Sequence, residues 1–208
     1  MTATALASPA QTLPTTWSKT PAAGNLVEAA TQLAEHLLTG DRLAHSAGVA
    51  ATAAGLAETL GGPAEILIAA AWLHDIGYCA EAIDTGFHPV DGARLLDRLG
   101  WPGRITALVA YHSGARFVAP AFGLADALAR YSDESSALSD ALTYADQVTG
   151  AAGQPLPIEA RMADMLRRHG PSSVNAAVHP LRAPYLLAVA DRVRARLRGE
   201  VSLVPQRG

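Results

Sequence analysis

Four consecutive residues, His74-Asp75-Ile76-Gly77, close an apolar stretch that runs from 66 to 73. An imidazole and a carboxylate at the end of a buried segment both need partners, because an unpaired charge in an apolar interior is very costly. A divalent metal ion is such a partner. The chain offers further ligands for one: His45 upstream, then His88, His112 and Asp146 downstream. Imidazole with carboxylate suits Fe, Mn, Zn, Co or Ni. With no cysteine in the set, a catalytic site is expected rather than a structural one. A lone histidine on a helix is more often a core or surface residue. The adjacency of His74 and Asp75 lifts the set above that background, because the pair demands further ligands nearby.

The elements that must bring these residues together read as helices. Half of the 208 residues are hydrophobic, mostly Ala and Leu with few aromatics, which favours helix over strand. Leu26, Ala29, Ala30, Leu33, Leu37 and Leu38 recur at steps of three and four, and Gly40 is expected to end that helix with Asp41 as the next N-cap. A second helix carries His45, with Val49, Ala53, Leu56 and Leu60 on its apolar face, and stops at Gly61-Gly62. Pro63 opens a third, apolar nearly all round and therefore central, with His74 and Asp75 on its last turn. A loop is expected over 79–87, a helix from Pro89 to Leu99, and another over 104–112. Beyond a loop over 114–123 come helices near 124–133 and 136–148, one ending at His169-Gly170, and a last one over 184–197. No alternating strand pattern occurs. The expected architecture is one all-α domain over residues 25–198, with a flexible N-terminal arm over 1–24 and a C-terminal tail over 199–208.

Composition excludes several partners. The net charge of -3 gives no general attraction to nucleic acid or anionic lipid. Arg192, Arg194, Arg196 and Arg198 step by two along a helix, so they spread over several faces and make no nucleic-acid stripe. No apolar run is long enough to span a bilayer, and the N-terminal residues lack a signal-peptide pattern. Cys79 is the only cysteine, which suits a reducing cytoplasm; it reads as a small buried hydrophobe. Lys19 is the only lysine, so a phosphate clamp here must be built from arginine or metal. Nothing in the sequence fixes an oligomeric state.

The order His45, His74-Asp75, Asp146 resembles the signature of the HD-domain superfamily of metal-dependent phosphohydrolases. His74-Asp75-Ile76-Gly77 is that superfamily's HDIG form, and His88-Pro89-Val90-Asp91-Gly92 resembles the H-P-x-x-G helix start of its two-metal subset. The resemblance covers roughly residues 25–148 and implies a helical bundle of the HD type. It favours Asp146, within Tyr144-Ala145-Asp146-Gln147, over Asp126, Asp133 and Asp140. It implies two divalent metals, one on His45, His74, Asp75 and Asp146, the other on His88 and His112, with Asp75 bridging. Such a pair makes hydroxide near neutral pH and holds a phosphoryl oxygen. The implied activity is hydrolysis of a small, nucleotide-like phosphate ester by a metal-bound hydroxide.

Arg94 and Arg116, close in sequence to His88 and His112, are the expected phosphate clamp. One departure concerns Tyr78, which stands where many members carry a lysine after HDIG and brings no positive charge. That leaves a second reading, a di-iron oxygenase on the same scaffold, and a third, a metal-dependent ligand-binding or regulatory domain without turnover. His112 is followed by Ser113-Gly114, unlike the cyclic-di-GMP phosphodiesterases, so that substrate is disfavoured. His169, before Gly170, is expected to complement a helix dipole as a cation, and His36 to serve surface or packing.

Overall fold

The computed structural model describes residues 25–60 and 63–200. The arm expected over 1–24, the Gly61-Gly62 stop, and the tail beyond residue 200 lie outside the described residues. The described chain is all-α. Its helices are α1 (Leu26–Leu37), α2 (Gly40–Leu60), α3 (Ala64–Leu73), α4 (His88–Arg98), α5 (Gly103–Tyr111), α6 (Ala115–Val118), α7 (Ala125–Leu128), α8 (Ala137–Gln147), α9 (Ile158–His169) and α10 (Val174–Leu197). Among the described residues the only extended pairing is an isolated bridge between Thr149 and Pro155.

Helix α3 is the axis of the fold, as its all-round apolarity requires. Ala69, Ala70, Ala71 and Leu73 are fully buried, and α1, α2, α5 and α8 pack around them. Three consecutive alanines have side chains short enough to let those neighbours approach closely. Leu33, Leu67, Leu95, Leu96, Ile105 and Leu142 fill the space left between the helices. The axis delivers His74 and Asp75 to one end of the bundle, just past the last turn rather than on it. His74 is the C-cap of α3, and Asp75 leads into a 3-10 turn over Ile76–Tyr78.

Several expected boundaries move, each for a local reason. Helix α2 starts at Gly40, one residue before the expected cap. The segment 114–123 is not a plain loop. It forms α6 and a 3-10 turn over Ala119–Phe122, bounded by Gly114 and Gly123, both at positive φ. The helix expected near 124–133 is the single turn α7. Beyond it the polar residues hydrogen-bond to their own backbone instead: Asp133 accepts from the Ser135 amide, and Ser136 caps α8 in a reciprocal capping box with Ser139. Helix α10 begins ten residues before the expected Pro184, because Ser173 caps it by accepting from the Ala176 amide. Pro180 and Pro184 then lie inside the helix. Val178, Arg182, Leu186 and Val189 are buried through that stretch, and their packing offsets the hydrogen bonds the prolines cannot make.

Candidate metal centre

Four elements bring the histidines to the end of α3, and backbone carbonyls fix three of them in one tautomer. His45, on α2, donates from Nδ1 to the Gly150 carbonyl at 2.9 Å. Gly48 makes this possible: a Cβ there would lie 2.7 Å from Gly153 Cα and 2.8 Å from Thr149 Cγ2, so only glycine lets the 149–153 turn approach α2. His74 donates from Nδ1 to the Ala71 carbonyl at 2.7 Å, and His112 does the same to Val109 at 2.6 Å. A proton held on Nδ1 leaves the Nε2 lone pair free, which is how metal-ligating histidines are prepared. His88 opens α4. Its approach depends on Gly77, where a Cβ would lie 2.7 Å from the Gly92 nitrogen and 2.8 Å from the His88 carbonyl carbon. Asp91 holds the preceding turn by accepting from the Thr85 and Gly86 amides and the Thr85 hydroxyl.

The free Nε2 atoms converge on Asp75 and Asp146. Asp75 Oδ2 lies 3.5 Å from His74 Nε2 and 3.8 Å from His45 Nε2. Its other oxygen, Oδ1, lies 3.3 Å from His88 Nε2 and 3.9 Å from His112 Nε2. Asp146 Oδ1 lies 3.0 Å from His45 Nε2 and 4.0 Å from His74 Nε2. The carboxylate of Asp75 thus turns one oxygen to each pair of histidines. Asp126, Asp133 and Asp140 do not enter the cluster in this way: Asp133 pairs with Arg116, and Asp140 with Arg192 and Arg196. Ligand atoms held at about 2.1 Å from one ion stand about 3 to 3.5 Å apart, which these separations approach. Two overlapping groups, His45-His74-Asp146 and His74-Asp75-His112, each bring ligand atoms within 4.8 Å of one another.

Electrostatics support a cation here. His74 Nε2 is buried and has no hydrogen-bond partner, although two carboxylates stand near it. Burial holds the His74 pKa down to about 4 and that of His88 well below its usual value, so both are neutral and able to ligate near pH 7. Burial also disfavours charge on His45, but the hydrogen bond and charge of Asp146 outweigh it and raise the pKa. A divalent ion can replace that proton. Burial alone would raise the two carboxyls. For Asp75 the surrounding His74 and Arg42, and for Asp146 the His45 hydrogen bond and Arg161, hold them instead well below the carboxylate range. The donor set and the orphaned nitrogen therefore fit a metal.

A cavity of about 440 Å³ opens over these ligands. It is lined by Arg42, Arg161, Arg168 and Arg182, and on another side by Phe87 and Phe122, whose rings stack at 5.4 Å. The expected clamp is not among its lining residues. Arg94 ion-pairs with Asp84, and Arg116 with Asp133 at 2.8 Å beside the Tyr185 ring. Each is held by an acidic neighbour outside the cavity lining. Tyr78 does reach the cavity. Its ring stacks on His88 at 4.2 Å and lies 4.0 Å beneath the Arg42 guanidinium, which ion-pairs with Asp75. The charge lacking at position 78 is thus supplied beside it from α2. Arg42 precedes His45 by three residues, a spacing that places both on one helix face and was readable in the sequence.

Two polar residues behind the ligands were not anticipated. Ser113 donates to Asp146, and Gln147 donates to Ser113 Oγ at 2.6 Å and to Asp146 Oδ2 at 2.9 Å, fixing that carboxylate. Ser113 sits at φ 54, a left-handed conformation held by its neighbours. His169 lines the cavity, and burial followed by the nearby arginines lowers its pKa. It stands in the last turn of α9, as expected, beside Arg167 and Arg168. Cys79 is buried, with its thiol pushed up to about 11 by burial and Glu81, as an inert core residue.

Comparison with known families matches this chain to a model described as HD domain over residues 42–165, more than half of the sequence. No curated protein and no solved structure matches it. No helix among the described residues is long and apolar enough to cross a membrane.

Proposed function

The chain belongs to the HD domain family, and on that premise we propose that it is a metal-dependent phosphohydrolase acting on a small, nucleotide-like phosphate ester. The observation that carries this reading is the set of arginines Arg42, Arg161, Arg168 and Arg182, which line the same cavity as the candidate ligands Asp75, His88, His112 and Asp146. Four guanidiniums around a buried His/Asp cluster favour an anionic substrate, and guanidinium matches phosphate oxygens in a planar fork. The stacked Phe87 and Phe122 offer a flat apolar surface to the organic part of such an ester.

In this reading His45, His74, Asp75 and Asp146 hold one ion, and His88 and His112 a second, with Asp75 shared. Divalent ions bound there would supply Lewis acidity and acidify a water near neutral pH. The residues around them do the rest. The Nδ1 protons of His45, His74 and His112 stay on backbone carbonyls, so each ring presents Nε2 in a fixed direction. Ser113 and Gln147 keep Asp146 from rotating. Arg42 neutralises charge on the Asp75 side and stands over Tyr78. Burial and Asp75 push the Tyr78 hydroxyl up to about 12, so it stays protonated and meets the substrate as a donor. Water oxygen then attaches to phosphorus as the ester P–O bond breaks, and the arginines spread the charge on the phosphoryl oxygens.

The test is a panel of mononucleotides and simple phosphate esters, assayed for phosphate release with protein loaded separately with Mn, Fe, Co, Ni and Zn. Release with at least one metal, lost in Asp75→Ala, is expected. No release under any loading would overturn the reading. Dioxygen consumption by the iron-loaded protein in its place would establish the oxygenase.

A further inference from the structure

Two arginines reach the cavity from helices that the ligand motifs do not include. Arg161 lies on α9 and Arg182 on α10, and the HD match ends at residue 165, so Arg182 is outside it. Both are about nine-tenths buried, at 9% and 8% exposure. Arg182 donates from Nε to the Ser113 carbonyl at 2.7 Å, and no carboxylate among the described residues lies within 4 Å of it. Arg161 reaches only Asp146, at 3.4 Å, and its Nε is buried without a partner.

The charges do not balance on this side of the cavity. Asp146 faces Arg161, and it also faces His45 and His74. Arg182 has no carboxylate in contact among the described residues; burial disfavours its charge, Asp146 attracts it only from beyond ion-pair distance, and Arg161 repels it. A buried guanidinium without a counter-ion in direct contact is unfavourable, and an anion entering the cavity would relieve that cost. The hydrogen bond from Arg182 to Ser113 uses one donor of five, leaving the outer fork for a ligand. Asn175, at the start of α10, adds a neutral amide to the same wall.

We propose that Arg161 and Arg182 form an oxyanion subsite that binds a phosphate or carboxylate group without metal. This rests on, and deepens, the phosphohydrolase reading: the substrate is then gripped by protein cations from α9 and α10 as well as at the metal ligands. Phosphate and carboxylate share the planar pairing with guanidinium, and separate titrations tell them apart.

The experiment uses the full chain after chelator treatment, titrated with inorganic phosphate and, separately, with acetate, by calorimetry and by thermal melting. Saturable phosphate binding is expected, with acetate binding more weakly if the subsite takes a phosphoryl group and more tightly if it takes a carboxylate. Arg182→Gln and Arg161→Gln should each weaken the preferred anion by at least about tenfold, the order of one charge-assisted contact. Arg194→Gln removes the same charge from a half-buried position on α10 that does not line the cavity and should leave binding unchanged. Where Arg182→Gln does not fold, Arg161→Gln decides. No saturable binding of either anion up to about 10 mM, or equal weakening in Arg194→Gln, would overturn the subsite. Phosphate binding that needs added metal would overturn it too and leave the hydrolase standing. Metal-free binding with no ester cleavage under any metal would keep the subsite and remove the hydrolase.

Discussion

A methyl group on Gly77 has nowhere to go. Its Cβ would sit 2.7 Å from the Gly92 nitrogen and 2.8 Å from the His88 carbonyl carbon, where ordinary contact begins at 3.4 Å. The atoms it meets are backbone, so a rotamer change cannot relieve the clash. The His88 carbonyl oxygen is nearer still, so the first turn of α4 must instead move from the 3-10 turn by more than about 0.7 Å. His88 is the first residue of that turn, and its Nε2 stands 3.2 Å from His112 Nε2 and 3.3 Å from Asp75 Oδ1. Metal sites tolerate errors of about 0.2 Å in ligand distance, so the displacement is more than about three times what the His88 side can absorb.

Gly77→Ala is therefore expected to lose the ion proposed for His88 and His112 while keeping that on His45, His74 and Asp146. Overpacking of this kind costs about 1 to 3 kcal/mol, which for a chain of this length lowers the melting temperature by roughly 2 to 12 °C. Gly92→Ala is the graded comparison. Its Cβ would lie 3.0 Å from the Gly77 nitrogen and 3.1 Å from Ile76 Cγ2, a misfit of a few tenths of an ångström, so it should keep more metal and melt higher. Elemental analysis after dialysis, paired with calorimetric melting of the chelated proteins, reads both quantities. Gly77→Ala with undiminished metal content and unchanged melting would refute the reasoning.

Other perturbations have defined outcomes. Asp75→Ala should lose both ions and all turnover, and elemental analysis showing full metal content would contradict its shared position. Tyr78→Phe should keep the stack on His88 and stay within about threefold of wild-type turnover, whereas Tyr78→Lys sets an ammonium beside Arg42 and should lower turnover about tenfold; a gain would mean Arg42 is not the cation serving that side. The metal-free protein should lose stability as pH falls from 6.5 toward 4. In that window the unfolded chain binds protons at His74 and His88 that the folded chain refuses, with His74 alone setting an upper bound of about 3 kcal/mol. His45, whose pKa is raised, opposes this with one site, while Asp75 and Asp146 stay ionised throughout; a denaturant midpoint flat across the window would contradict the sign.

Most of the helices and the central place of α3 were legible because hydrophobic periodicity and all-round apolarity carry burial directly. The candidate ligands were legible for a chemical reason: His74 beside Asp75 at the end of such a helix demands partners, and few other residues can supply them. Boundaries were less so. Pro184 reads as a helix start, yet Ser173 caps α10 ten residues earlier, and nothing in the sequence ranks one local signal above the other before burial is known. The segment 124–133 has the composition of a helix, but Ser135 and Ser136 find hydrogen bonds among their own neighbours and stop it after one turn.

The arginines show where sequence reading runs out. Nearly every positive charge in this chain is arginine, so residue type cannot distinguish a clamp from a surface ion pair, and only the side chain's place relative to the cavity can. Arg94 and Arg116 stand next to ligands in the sequence, and each is taken up by an aspartate. Arg161 and Arg182 follow Asp146 by fifteen and thirty-six positions, and they reach the cavity because α9 and α10 fold back against α8. Residue type and motif point to the candidate ligands, which must converge on the helix end that carries His74. It does not predict the cations, which are free to come from any element that can reach the cavity. The two kinds of residue obey different geometric constraints: a ligand set tolerates errors of tenths of an ångström and so is built on the rigid centre of the bundle, whereas an anion clamp works at longer range and can be assembled from its periphery.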